Sequence, residues 1–169
     1  MSMSEVTQIP LNQAKKYITT NVQLQLQGVE KGFPCPVIYI SGPPGIGKSD
    51  IMSDIANEYG WGLNCQYLGT MQIEQLGLPL PSQITSDSEF ARWSLPELYS
   101  TMNLRVHPKE GKPIILFLDD MHLASKVMQT YLFQLFTYRS IHNRKMPDNF
   151  VMVAAGNRSI DRAGAQPIM

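Results

Sequence analysis

The sequence predicts an α/β domain, a parallel sheet flanked by helices. Three observations carry that expectation. Residues 37–40 form a short β-prone apolar run that passes into a glycine-rich loop and then into helically spaced apolar residues. Residues 114–118 are continuously apolar and end on two carboxylates, the pattern of a strand buried on both faces. Residues 150–154 form another such run and lead to Gly156 and Asn157. Strands separated by helices imply right-handed crossovers, and ligands of such sheets sit beyond the carboxyl ends of the strands. The loop at Gly42, the Asp119-Asp120 pair and Asn157 are the three candidate polar sites at those ends.

Taken in order, residues 1–8 read as a loose start. Leu11, Ala14, Ile18 and Val22 recur about four apart, which predicts a helix over residues 10–22. From Val22 the run V-Q-L-Q-L-Q alternates like a strand, so the end of that element stays open. Residues 28–36, with Gly28, Gly32, Pro34 and Pro36, fit a loop. After the glycine-rich loop, Ile51, Met52, Ile55, Ala56 and Tyr59 share one helical face, and Gly60 is a natural stop. A second strand is expected at residues 63–68. Residues 69–93 carry Gly77, Pro79 and Pro81 and a polar tip at 82–89, which suggests a hairpin or ordered insertion. Ser94 to Glu97 spells a capping box and predicts a helix running to about Leu104. Residues 107–112 read as a polar turn. Ser125 can cap a helix whose inner face is Val127, Met128, Tyr131, Leu132, Leu135 and Phe136.

The chain has 169 residues, 43% apolar and 17% charged, which suits one soluble α/β domain with a substantial core. Its formal net charge is zero, so bulk electrostatics gives no reason to expect nucleic acid or an anionic membrane. Residues 139–145 are the one modest basic cluster. Cys35 and Cys65 make neither a disulfide framework nor a zinc site, and read as buried thiols in a reducing compartment. No signal peptide and no apolar run of membrane-spanning length is apparent, which points to the cytoplasm. The ten methionines fall at packing positions.

The chemistry concentrates in residues 42–49, Gly42, Pro43, Pro44, Gly45, Ile46, Gly47, Lys48 and Ser49, which spell G-x-x-x-x-G-K-S. Glycines let backbone N–H groups turn inward around phosphate oxygens, and the following helix N-terminus adds partial positive charge. Lys48 is then expected on the β- and γ-phosphates and the Ser49 hydroxyl on Mg²⁺. Asp119, delivered by a buried strand, is expected to help hold Mg²⁺, and Asp120 to orient or deprotonate the attacking water. By position alone, Asn157 fits two roles equally: a turn residue after Gly156, or an amide holding the lytic water or the γ-phosphate. His107, His122 and His142 lack metal-ligand spacing and read as solvated, with His122 the nearest in sequence to the acid pair. Arg139, Arg144, Lys145, Arg158 and Arg162 read as solvated or interfacial.

These residues together resemble AAA+ ATPases, and within them the MoxR-like group. G-P-P-G-I-G-K-S-D-I at 42–51 is similar to that group's Walker A segment. M-Q-I-E-Q-L-G-L-P-L-P at 71–81 and A-R-W-S-L-P-E-L at 91–98 resemble its insertion ahead of the acid strand. I-L-F-L-D-D at 115–120 resembles Walker B, and V-A-A-G-N-R-S-I-D-R-A-G at 153–164 the segment that carries sensor 1, here Asn157. The resemblance implies a P-loop NTPase fold of AAA+ type with a hairpin insertion at residues 72–93. It implies ATP with Mg²⁺, and a ring, often a hexamer, that remodels or assembles a partner. That partner often carries a von Willebrand factor A domain.

Two departures matter. The second Walker B acid is Asp120 where Glu is common, one methylene shorter. The chain also stops at Met169, so residues 1–169 read as an α/β subdomain in which the arginine finger, sensor 2 and helical lid of the family have no counterpart. An arginine finger is worth several orders of magnitude in rate. This chain alone is therefore expected to bind nucleotide and hydrolyse it poorly, as a piece of a longer ATPase. Two other readings stand beside that one. One is a nucleotide-gated binding module with little turnover. The other is a DNA-associated ATPase such as a helicase loader or the motor of a restriction system, against which the zero net charge counts.

Overall fold

A computed structural model describes residues 9–33, 35–80 and 92–158. In chain order the elements are helix α1 (Leu11–Lys31), strand β1 (Ile38–Ser41), helix α2 (Lys48–Tyr59), strands β2 (Gly62–Tyr67), β3 (Pro79–Leu80), β4 (Arg92–Trp93) and β5 (Ile114–Asp119), helix α3 (Lys126–Tyr138), and strands β6 (Ser140–Ile141), β7 (Arg144–Lys145) and β8 (Phe150–Gly156). Short 3₁₀ turns lie at Ile73–Leu76, Glu97–Tyr99 and Met121–Leu123.

Four strands form one parallel sheet in the order β1-β8-β5-β2. The strand nearest the middle by sequence, β5, is buried along its whole length. Its side chains alternate between two cores. Ile114, Leu116 and Leu118 pack with Met128, Leu132 and Leu135 of α3. Ile115 and Phe117 pack with Ile18 and Val22 of α1 and with Ile51, Met52 and Ile55 of α2. A strand covered on both faces has no solvent side, which is why its sequence is continuously apolar. The same alternation puts Asp119 on the α2 side of the sheet, two residues after Phe117.

Helix α1 runs well past Val22, to a left-handed Gly32 C-cap. The strand-like alternation loses to the helical period because of Gln25. Leu24 is exposed, whereas Ile18, Val22, Gln25 and Gly28 form the buried face. The Gln25 side chain donates to Met152 O at 2.7 Å and accepts from Met152 N at 2.8 Å. Met152 lies just before the stretch of β8 that pairs with β1, so the helix side chain substitutes for the missing strand partner.

The helix expected from Ser94 to Leu104 does not form, and only a 3₁₀ turn at Glu97–Tyr99 is present. Both capping-box side chains are committed elsewhere. Ser94 Oγ accepts from Leu78 N at 2.9 Å, and the Glu97 carboxylate accepts from Gln75 Nε2 at 2.9 Å. The Asn64 amide then takes the carbonyls of Leu98 and Ser100, which pins the turn and stops it from propagating.

The base of the insertion is an antiparallel pair, β3 with β4, as expected for a hairpin. Its expected polar tip lies outside the described residues. The expectation for α3 holds at its Ser125 cap, which accepts from Met128 N at 3.2 Å, and at Met128, Leu132 and Leu135. Val127, by contrast, is exposed, as is Tyr59 at the end of α2. Arg139 is half-buried rather than solvated. Its guanidinium donates to Phe150 O at 2.7 Å and Pro147 O at 3.3 Å, and burial lowers its pKa. Lys145 pairs with Asp148 at 3.4 Å. The modest basic cluster is thus spent partly on holding the β6–β7 hairpin against β8. Cys35 and Cys65 are free and half-buried rather than buried, and burial raises both thiol pKa values.

Replacing Gln25 by Leu strands both polar atoms of Met152 in the interior, at about 1–3 kcal/mol each. Urea unfolding of Gln25→Leu should show a loss of about 2–6 kcal/mol.

Candidate functional site

The carboxyl ends of β1, β5 and β8 lie side by side, since Ser41 pairs with Gly156 and Leu118 with Ala154. The glycine-rich loop leaves β1 and enters α2 at Lys48. Gly45 and Gly47 take left-handed φ of +77° and +82°, which side chains resist, and Gly47 is the N-cap of α2. Gly42 N donates to Gly156 O at 3.3 Å, tying the start of the loop to the end of β8.

Lys48 is buried, with 9% exposure. Its Nζ donates to Gly42 O at 3.1 Å, Pro43 O at 3.0 Å and Asn157 Oδ1 at 3.2 Å. Across the site, Ser49 Oγ donates to Asp119 Oδ2 at 2.8 Å, and Asp120 N donates to Asp119 Oδ1 at 2.9 Å. Asp119 is 6% exposed. Among the described residues neither Lys48 nor Asp119 forms an ion pair. A buried cation and a buried anion are therefore each held by neutral groups alone, an arrangement that is costly without further charged partners. A hydroxyl and a carboxylate converging on one point, both oxygen donors, fit a small hard cation such as Mg²⁺.

Asp120 sits at left-handed φ of 55° and caps the 3₁₀ turn Met121–Leu123. Nothing among the described residues bonds to its carboxylate, which is half-buried at the rim of the site. The structure thus brings together Gly42, Lys48, Ser49, Asp119, Asp120 and Asn157. Pro43, Pro44, Gly45 and Ile46 form the outer arc of the loop, with Ile46 exposed.

Three features escaped the sequence reading. A cavity of about 520 Å³ lies beside the loop, lined in part by Leu11, Ala14 and Tyr17 of α1 and by Ile46, Gly47 and Lys48. Its one sequence signal is the apolar Leu11 and Tyr17, which stay exposed on α1. His122 is 4% exposed, not solvated, and its Nδ1 accepts from Asn157 N at 3.1 Å. His142 is also not a loop residue in water. It stacks on Trp93 at the insertion base, with ring centroids 3.7 Å apart and 5° between planes, and lies tilted to Tyr131 of α3 at 4.8 Å. His107 is exposed, as expected, and Arg162 lies outside the described residues.

A parallel sheet whose first strand feeds a glycine-rich loop, with an acid facing that loop from β5, one strand beyond the neighbouring β8, defines a P-loop nucleotide-binding fold. Residues 38–165 match the family described as the ATPase family associated with various cellular activities, AAA. The match covers well over half of the sequence, and the chain belongs to that family. No curated protein matches it in sequence. Among solved structures it is similar to a mutant of RuvB from Thermotoga maritima, with a TM-score of 0.50 at 15% identity, covering 88% of this chain and 41% of RuvB. It is also similar to the same organism's RuvB described as a Holliday junction branch migration motor, with a TM-score of 0.48 at 16% identity, covering 88% of this chain and 40% of that one. A further similar structure, a candidate ATPase from Cytophaga hutchinsonii, has a TM-score of 0.49 at 15% identity, with 92% of this chain and 42% of that one covered. At such identities the likeness is one of fold. The chain spans about two fifths of the length of these structures.

Burial within the stack lowers the His142 pKa below its ordinary 6.5. The unfolded chain then takes up this proton first, so the stability tied to His142 is full above 6.5 and is lost as pH falls below it. His142→Phe keeps a ring between Trp93 and Tyr131 but cannot titrate. Urea midpoints should fall less in this variant than in the unaltered protein between about pH 7.5 and about pH 5.5.

Proposed function

We propose that residues 1–169 form the ATP-binding and ATP-hydrolysing α/β unit of a ring-forming AAA+ ATPase of the MoxR-like kind, which remodels or assembles a protein partner. The observation that carries the nucleotide reading is the pair of buried, oppositely charged groups, Lys48 and Asp119, each bonded among the described residues to neutral partners. A triphosphate with a divalent cation supplies the missing charge of each sign. The apolar cavity against α1 suits the base and sugar of the nucleotide.

In this reading Lys48 leaves its carbonyl acceptors for the β- and γ-phosphate oxygens and neutralises the charge that spreads over them. Ser49 and Asp119 would hold Mg²⁺, which when bound offsets the negative charge between the β- and γ-phosphates. Asp120 accepts a proton from the attacking water and aims it in line at the γ-phosphorus. As the new P–O bond forms, the bond to the β–γ bridging oxygen breaks and ADP leaves. Asn157, beside Lys48, contacts the γ-phosphate. A neighbouring subunit of the ring, often a hexamer, completes the site, and the insertion at residues 72–93 offers the partner contact. The MoxR-like resemblance names a von Willebrand factor A domain as the partner's expected feature.

Calorimetry with ATP and Mg²⁺ should show binding that Lys48→Ala weakens at least about 100-fold. Unchanged affinity would sink the assignment. Asp120→Asn should retain binding while turnover by the assembled protein drops about 10²- to 10⁴-fold. A second reading, the nucleotide-gated module, is favoured by one observation, the short acid Asp120. If Asp120→Glu raises turnover many-fold, the native site is built to hold nucleotide rather than to spend it.

A further inference from the structure

The peptide group between Gly156 and Asn157 is held from both sides. Its carbonyl, Gly156 O, accepts from Gly42 N in the phosphate loop at 3.3 Å. Its N–H, on Asn157, donates to His122 Nδ1 at 3.1 Å. One rigid plane therefore joins the loop after β1, the end of β8 and the turn after the acid pair. The next group along, the Asn157 side-chain oxygen, accepts from Lys48 Nζ at 3.2 Å. The held plane fixes the point from which the Asn157 side chain leaves the backbone, and Lys48 holds its far end.

His122 is suited to that task. A backbone N–H can only donate, so Nδ1 must be the unprotonated nitrogen and the neutral ring carries its proton on Nε2. Left-handed Asp120 opens the tight turn that swings His122 back beneath β8, where it is 4% exposed. Packing leaves the plane little freedom. A Cβ at Gly156 would lie 3.2 Å from His122 Nδ1 and would run into the Tyr39 hydroxyl. Any side chain at 156 would have to displace the Tyr39 ring end and press on His122.

We propose that His122 is a positioning residue for the γ-phosphate contact. It acts through Asn157 and does not touch the nucleotide. The inference rests on the nucleotide reading above. Its consequence is selective. Loss of the Nδ1 acceptor frees the Asn157 plane and blunts discrimination of a triphosphate from a diphosphate, while the loop, Lys48 and the base cavity still hold ADP.

The test uses the whole protein with His122→Phe, which keeps a ring without an acceptor, and His122→Asn, which places an amide oxygen near the position of Nδ1. Calorimetry with Mg²⁺ compares ADP and the non-hydrolysable β,γ-imido analogue of ATP, and thermal unfolding is followed in parallel. His122→Phe should lose about tenfold or more of the preference for the analogue, with ADP affinity within about twofold of the unaltered protein. His122→Asn should restore most of that preference, and kcat should fall in His122→Phe with KM little changed. Equal losses for ADP and the analogue, an unchanged preference in His122→Phe, or failure of His122→Asn to restore it each overturn the positioning role. No binding of either nucleotide by the unaltered protein overturns the nucleotide reading and the inference with it. Nitrogen spectra of the unaltered protein give an independent check should His122→Phe not fold: an unprotonated Nδ1 supports the role, and a protonated one overturns it.

Discussion

The parallel register of β1, β8 and β5 is the constraint on which the rest of the molecule depends. Pairing Ser41 with Gly156 and Leu118 with Ala154 ends three strands at nearly one level. Each strand then releases its chain at the same edge, and the polar residues that follow converge. Strand parity adds the second coordinate. In β5, Ile115, Phe117 and Asp119 share a face, and in β8, Val151, Val153 and Ala155 face the same core. Asn157 continues that parity. A slip of one residue in β5 would turn Asp119 toward α3 and leave Ser49 without its acceptor. The core on the α1 and α2 side therefore does more than stabilise the sheet. By burying one set of alternate residues it fixes which carboxylate faces the loop.

Much of this was legible in the sequence because it rests on local rules. A glycine-rich loop between an apolar run and a helical face has few alternatives, and a continuous apolar run such as residues 114–118 reads as a doubly buried strand. What was hidden depends on contacts distant in sequence. Gln25 holds Met152, 127 residues away, and that contact puts Gln25 on the buried face of α1 beyond Val22. The S-L-P-E signal at residues 94–97 was sound as local chemistry, but Leu78 and Gln75 claimed its two side chains. His122 and His142 showed no spacing pattern because their partners, Asn157, Trp93 and Tyr131, lie on other elements. Periodicity reports which face is buried. It does not report which polar atom on that face meets another.

The electrostatics of the site follows from the same geometry. Lys48 Nζ lies against two carbonyls and an amide oxygen. Each is an acceptor, and none carries a full charge. Such partners compensate part of the desolvation of an ammonium group but supply no opposite charge. Phosphate oxygens offer the same hydrogen-bond geometry with charge added, so exchanging carbonyls for phosphate strengthens each bond. Asp119 stands in the mirror situation, with a hydroxyl and a backbone N–H as its donors. An anion alone would satisfy Lys48 and crowd Asp119, and a cation alone would do the reverse. Only a ligand that brings both signs together, with its cation on the Ser49 side and its anion on the Lys48 side, improves both at once. That requirement is stricter than the loop motif, which asks only for phosphate, and it arises from the acid strand lying next to β8 rather than from the loop itself.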